Sequence, residues 1–321
     1  MSKFDVEKIN QLIEISKLYY QDGLNQSSIS RQVHIHRTEI SRLLKEARAL
    51  GIVKIEIDST FGASEKLSHE LQSYFHLKKA IVIPTKPGSS YADDLKTVGS
   101  YASNYIQEQL FSGSIVGLSW GRTLATTIHC ITPINSISNV TSVPMIGGPI
   151  GTLDVNYQAN NLVHELANNL KNSRSYTLDA PVMVSNSALK QELLASPNSQ
   201  AVLDFWNKMD IAIFGIGSSE ITNNLTWRGF YEGTGFKKAL SGTTVGDILS
   251  QPYSITGELN KSFNSNLIGL KLESLKKIPL RIAIATGENK ANAILGALRL
   301  QAPNVLITSD KTAIAIKRAI K

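Results

Sequence analysis

Residues 18–55 read LYYQDGLNQSSISRQVHIHRTEISRLLKEARALGIVKI, and the spacing of apolar and basic positions in this stretch decides how the chain begins. Ile29 and Val33 fall on one face of a short helix expected over 26–33, with Asn25 placed to cap its start. His34-Ile35-His36 is a connection of the length that joins the two helices of a helix-turn-helix, with Ile35 as the apolar plug between them. A further helix over 37–49 puts Ile40, Leu43, Leu44 and Ala47 on a core face and Arg37, Thr38, Ser41, Arg42, Lys45 and Arg48 on the other, and Gly51 ends it. Upstream, Ile9, Leu12, Ile13, Leu18 and Tyr19 recur at three- and four-residue steps over 5–21 until Gly23. Downstream, the stretch Ile52 to Ile57 alternates apolar and polar and reads as a strand, so the module is expected to be winged.

The outward face of the third helix suits recognition of DNA: polar residues at its N-terminal end reach base edges in the major groove, and flanking cations meet phosphates. The competing reading is a plain three-helix bundle with a solvated basic face. A net charge of +7 favours a polyanionic partner without naming one. At 321 residues, with 42% apolar and 18% charged residues, two domains are expected, and no apolar run approaches the length needed to span a bilayer. The start, MSKFDVEKINQ, lacks the pattern of a secretory signal, and the lone Cys130 cannot form an internal disulfide; both lead to the expectation of a cytoplasmic protein.

After the polar stretch 58–64, Glu65 to Phe75 reads as a helix whose Leu67, Leu71 and Phe75 stripe packs either within the following domain or between subunits. Beyond it, strand-like runs alternate with helical segments: 80–84, 115–118, 140–145, 211–215, 281–285 and 305–308. That alternation predicts an α/β domain with a largely parallel sheet. Four runs end in small residues: Ser119-Trp120-Gly121-Arg122-Thr123, Gly147-Gly148-Pro149, Gly215-Ile216-Gly217-Ser218 and Thr286-Gly287-Glu288. Ligands bind outside the carboxyl ends of strands in such sheets, and glycines there let backbone N–H groups approach an anion or a polyol, though tight turns also need glycine for backbone reasons alone. No nucleotide fingerprint stands in these loops, so NAD and ATP are not expected, and the histidines lack metal-ligand spacing, so neither cofactor nor metal is expected.

The run quoted above resembles the DNA-binding module of the SorC family of sugar-sensing regulators, with Leu18-Tyr19-Tyr20, Gln26, Ile29, Arg37, Ser41-Arg42-Leu43-Leu44 and Gly51 in that family's spacing. His36 and Glu39 depart from it, standing where Ser and Thr are frequent; Glu39 repels phosphate and can accept from a cytosine amino group. The resemblance covers nearly the whole chain. It implies operator contacts from Gln26, Arg37, Thr38, Glu39, Ser41, Arg42 and Lys45. For a sugar or sugar-phosphate effector it implies Ser119, Gly121, Arg122, Thr123, Gly147, Gly148, Pro149, Gln158, Asn160, Gly217, Asp247 and Lys290. Ile146-Gly147-Gly148-Pro149, Phe205-Trp206 and the segment Trp227 to Tyr231 look most like the sorbose-type branch. Asp247 is suited to accept from neighbouring sugar hydroxyls, Arg122 and Lys290 to meet phosphate or hydroxyls; capping of a helix after Gly246 is the alternative for Asp247. The expected organisation is a winged helix-turn-helix over 1–58, a linker and helix over 59–78 and an effector domain over 79–321. The resemblance also implies a dimer or tetramer. The effector domain resembles sugar-phosphate isomerases in fold, which leaves an isomerase-like enzyme as the rival function.

Overall fold

The computed structural model describes residues 3–53, 60–149, 154–219, 243–260 and 266–320. They divide into two compact units, 1–59 and 60–321.

In the first unit the helices α1 (Lys3–Tyr20), α2 (Gln26–Val33) and α3 (Arg37–Ala49) enclose a core of Leu12, Ile15, Ile29, Ile40, Leu43, Leu44 and Ala47. The four core positions read from the sequence of α3 are all buried. In α1 the buried stripe is Leu12, Ile15 and Ser16, whereas Ile13 is only half-buried, so the inward face is rotated from the one first expected. Asn25 caps α2 by accepting from the Ser28 N–H at 2.9 Å. His34 takes a left-handed backbone (φ 53°) that ends α2, and Ile35 packs against the core between the two helices. Of the expected wing, Ile52 and Val53 form a bend against the core, and 54–57 lie outside the described residues.

The second unit is built on a seven-stranded sheet, every pair of which is parallel. Its strands are β1 (Lys79–Ile83), β2 (Ile115–Leu118), β4 (Thr141–Pro144), β6 (Arg174–Ser175), β7 (Ile211–Gly215), β11 (Leu280–Ile284) and β12 (Val305–Ser309), in the order β1-β12-β11-β7-β2-β4-β6. Two small sheets complete it, β3 (Ile134–Ser138) with β5 (Leu170–Lys171), and the antiparallel β8 (Gly217–Ser218), β9 (Thr244–Ile248) and β10 (Gln251–Ser254). Taken from β6, the order β6-β4-β2-β7-β11-β12 is the 3-2-1-4-5-6 order of doubly wound sheets, with β1 added beside the last strand.

Both faces of the sheet are covered, which is why its strands read as continuous apolar runs rather than alternating ones. Ile211 and Ile213, Ile282 and Ile284, and Val305 and Ile307 point to one side, where they meet Val98 and Ile106 of helix α5 (Tyr91–Gln109), Leu124 of α6 (Arg122–Ile128) and Leu162 of α7 (Ala159–Asn168). Phe214, Ala283 and Leu306 point to the other, against Leu71 of α4 (Thr60–Tyr74) and the two C-terminal helices, 291–299 and 310–320. The stripe of α4 that the sequence left unassigned therefore packs inside the sensor unit.

Gly296, in the helix 291–299, marks the closest approach of that helix to the β9–β10 hairpin: a Cβ there would stand 2.6 Å from the Ser254 carbonyl oxygen and 3.0 Å from the Tyr253 ring. Alanine would gain about 1 kcal/mol of helix propensity but cannot be accommodated without moving backbone. Gly296→Ala is expected to lower stability by about 1–3 kcal/mol in urea unfolding, against the propensity trend.

Candidate functional site

On the first unit, Arg37, Thr38, Ser41, Arg42, Lys45 and Arg48 of α3 are all exposed, on the face opposite Ile40, Leu43, Leu44 and Ala47. His36 caps the helix: its Nδ1 lies 3.5 Å from the Thr38 N–H and 2.8 Å from the Thr38 hydroxyl, so the histidine that replaces the expected Ser still performs the capping task. Glu39 is tied to Arg42 through both carboxylate oxygens, at 2.6 Å to Nη2 and 3.0 Å to Nε. That pair lowers the Glu39 pKa and raises that of Arg42, the hydrogen bond being the main cause of each. Gln26 opens α2 half-buried, at the rim of an open groove of about 780 Å³ bordered by Asn25, Ser27, Arg31 and Arg37. The groove thus joins the start of α2 to the start of α3.

On the second unit, the chain winds one way from β2 and the other way from β7, which makes the crevice between the carboxyl ends of these two neighbouring strands the topological switch point. Ser119 closes β2 there: it is buried, and its hydroxyl accepts from the Gly215 N–H at 3.4 Å. Gly121 follows at φ 126° and ψ 162°, a conformation open to glycine alone, and turns the chain into α6, whose first residues are the half-buried Arg122 and the buried Thr123. At the end of β7, Ile216 and Gly217 form the node on which two charged side chains converge. Lys290 is buried and donates its ammonium to the Ile216 carbonyl at 2.9 Å. The Asp247 carboxylate lies directly over Gly217, where a Cβ would come within 1.9 Å of Oδ1.

Asp247 belongs to strand β9 and caps no helix, which removes that alternative. Its Oδ2 accepts from the Ser250 N–H at 3.2 Å, across a two-residue turn in which Leu249 and Ser250 both have positive φ (50° and 57°). Such hairpin turns ordinarily call for Asn or Gly, so nothing in the letters Leu-Ser announced the hairpin, and the carboxylate supports a turn that its own residues disfavour. Burial raises the Asp247 pKa to about 6, opposed by the Ser250 hydrogen bond and by Lys290. Burial lowers the Lys290 pKa to about 8, with Asp247 pulling it up and Arg122 pushing it down. Of three groups singled out in the sequence, Lys290 is therefore within electrostatic reach of both Arg122 and Asp247.

Sequence reasoning missed what holds Lys290 in place. The buried hydroxyls of Thr286, Ser309 and Thr312 bond to one another at 2.8–2.9 Å, and Thr312 accepts from the Gly287 N–H at 2.8 Å. Gly287, at φ 120°, then accepts from the Lys290 N–H at 3.0 Å. These threonines and serines are scattered along the chain and carry no motif.

The second glycine loop is employed differently from the expectation that its N–H groups face a ligand. Gly147 donates to Ile268 O at 3.0 Å and Gly148 to Ala180 O at 2.8 Å. A Cβ on Gly147 would collide with the backbone of Ala180 and Pro181, so here glycine serves chain packing. Pro149 follows as the last described residue before a gap in the description. Asn160, on α7, gives both ends of its amide to the backbone of Leu178, at 3.0 and 3.3 Å, and Gln158 is the N-cap residue of the same helix. Trp206 donates its indole N–H to the Pro144 carbonyl at 2.8 Å, bracing the end of β4, while 227–231 lie outside the described residues.

Residues 59–316 match the family described as "Putative sugar-binding domain". The chain is 32% identical to the sorbitol operon regulator of Klebsiella pneumoniae over 96% of its own length and 97% of that protein's. The crystal structure of that full-length regulator, SorC, superposes with a TM-score of 0.80, covering 96% of this chain and 98% of the other. The deoxyribonucleoside regulator of Bacillus subtilis is 29% identical over 97% of this chain and 98% of its own. The chain belongs to the SorC family of transcriptional regulators. It is a regulator: the sheet shares its architecture with enzymes, but the relatives that match over nearly the whole chain are named as regulators, which does not favour the isomerase reading.

In this SorC-family chain the cost of holding Asp247 ionised in a desolvated position sets a pH dependence. Its folded pKa, about 6, lies above the ordinary value of 3.8, so its ionisation favours the unfolded chain increasingly from about pH 4 and fully above pH 6. Asp247→Asn is expected to raise unfolding stability by on the order of 2 kcal/mol at pH 7 and by nothing at pH 3.5 in urea titrations. Equal effects at the two pH values would show that the carboxylate is not desolvated.

Proposed function

We propose that the chain binds operator DNA through the exposed face of α3, together with Gln26, and controls a sugar or polyol catabolic operon of the sorbitol or sorbose type. A sugar or sugar-phosphate effector held at the carboxyl edge of the sensor sheet alters that binding. The observation that carries the reading is the node at Ile216 and Gly217. Among the described contacts, Lys290 uses one ammonium donor, on Ile216, and Asp247 one acceptor position, on Ser250. A polyol has hydroxyls that accept from the ammonium and donate to the carboxylate at once, and a phosphate on the same molecule finds Arg122 beside Lys290. We assign Ser119, Gly121, Thr123 and Gly217 to the border of this site, and Gly147, Gly148, Pro149, Gln158 and Asn160 to its outer rim, in the segments after the neighbouring strand β4. The relatives are named for a sorbitol operon and for deoxyribonucleosides, which agrees with a polyhydroxylated effector.

The protein works as a dimer or tetramer in the cytoplasm, since effector control of a helix-turn-helix acts most simply through the spacing of two recognition helices. No described helix is long and apolar enough to cross a membrane.

The test is binding of the purified protein to DNA from upstream of its own operon, with and without hexoses, polyols and their phosphates. A sugar that tightens or releases specific binding is the expected result; specific binding indifferent to the whole panel would overturn the effector assignment. Replacing Arg37 and Arg42 together by Ala is expected to weaken operator binding at least about a hundredfold and to flatten its salt dependence, while effector binding is unchanged. Loss of both bindings in parallel would contradict a division of labour between the two units.

A further inference from the structure

Tyr91 is a large aromatic side chain that remains 41% exposed although the backbone carrying it is held from several sides. It is the first residue of α5, at the carboxyl edge of the sheet. Ser90 and Asp93 form a reciprocal capping box around the start of the helix. Lys311 reaches across to bond the Ser89 hydroxyl at 2.9 Å, the Ser89 carbonyl at 3.3 Å and Asp94 at 2.9 Å, so the turn that delivers Tyr91 is tied to the helix following β12. The ring itself lies against one loop of the candidate effector site. A Cβ at Gly287 would stand 3.3 Å from Tyr91 Cε2, and Gly287 opens the turn that ends at Lys290. The charge of Arg122 also reaches the phenol: burial raises the Tyr91 pKa, and Arg122 opposes that rise.

An aromatic ring left partly open to solvent beside a glycine turn, within electrostatic reach of a guanidinium, has no evident task in the fold. We propose that Tyr91 is a specificity-determining wall of the effector site, against which the C–H face of a sugar or polyol chain lies while its hydroxyls meet Asp247 and Lys290. The inference rests on the effector reading given above and adds a requirement to it. Hydroxyls and phosphate alone do not make a good effector; an extended carbon chain long enough to reach from the Ile216–Gly217 node to the ring is also needed. The phenol hydroxyl is dispensable in this role and the ring is not, since what stacks against C–H bonds is the aromatic face.

The experiment is calorimetric titration of the full chain with D-sorbitol 6-phosphate, then with other five- and six-carbon sugar and polyol phosphates, and with inorganic phosphate as the fragment that lacks the chain. Tyr91→Phe is expected to bind within about twofold of the unsubstituted protein. Tyr91→Ala and Tyr91→Leu are expected to lose about tenfold, equivalent to ~1.4 kcal/mol. Inorganic phosphate, if bound, is expected to be unaffected by all three. Tyr101→Ala removes an equally exposed tyrosine (44%) from the same helix and is expected to change nothing. Sugar-phosphate binding that survives both Tyr91→Ala and Tyr91→Leu would overturn the wall and leave the effector reading standing. A tenfold loss shared by inorganic phosphate would overturn it as well, by showing that Tyr91 merely holds Arg122. If the unsubstituted protein binds none of these compounds, the effector reading fails first and takes the wall with it.

Discussion

An ammonium buried at the end of a parallel sheet must find oxygen, and Lys290 finds the carbonyl of Ile216. One residue further on, Gly217 leaves the space into which Asp247 places a carboxylate. Each charge is desolvated, one pKa falling to about 8 and the other rising to about 6, and each eases the burial of the other without a direct ion pair between them in the described contacts. Such an arrangement is costly when left incomplete, because the attraction between the two groups does not replace the water each has lost. A polar ligand that satisfies both recovers that cost on binding. The parallel sheet, its switch point, the Gly287 turn and the strained Leu249-Ser250 hairpin all bring these groups to the same few ångströms.

The DNA-facing unit follows the opposite electrostatic logic. Its charges are mostly exposed and cheap to maintain, and the Glu39–Arg42 ion pair on the outward face of α3 is a surface contact in which the carboxylate is expected to hold the guanidinium rather than to add much stability. That pair makes the face less uniformly positive than its count of basic residues indicates. If the proposed operator contacts hold, it also ties an acidic group to the end of α3 that would read base edges, and operator choice would then depend on Glu39.

Much of the architecture was legible because its signals are local. The cap at Asn25, the core face of α3 and the apolar runs of β2 and β7 depend on neighbours within a few residues, and the parallel character of the sheet on the alternation of those runs with helices; capping by His36 was not read, because histidine is not a usual cap residue. The candidate site was legible only as residue types. Arg122, Asp247 and Lys290 could be named, but Asp247 was equally readable as a helix cap, because a two-residue hairpin turn built on Leu and Ser lacks the usual Asn-Gly signature. The use of Gly147 to admit the Ala180–Pro181 backbone, and the chain of hydroxyls of Thr286, Ser309 and Thr312 behind Lys290, depend on segments some 20–40 residues apart, a separation at which periodicity carries no information.

The most direct test of the account is Gly217→Ala, measured side by side for operator binding and for its response to the effector that acts on the unsubstituted protein. The added methyl would occupy the position of the Asp247 carboxylate and displace it while leaving the helix-turn-helix untouched. The expected result is operator affinity within about twofold of the original and an effector response that has vanished. A variant that still answers the effector at its original concentration would contradict the claim that the Asp247–Lys290 node is where the signal is received.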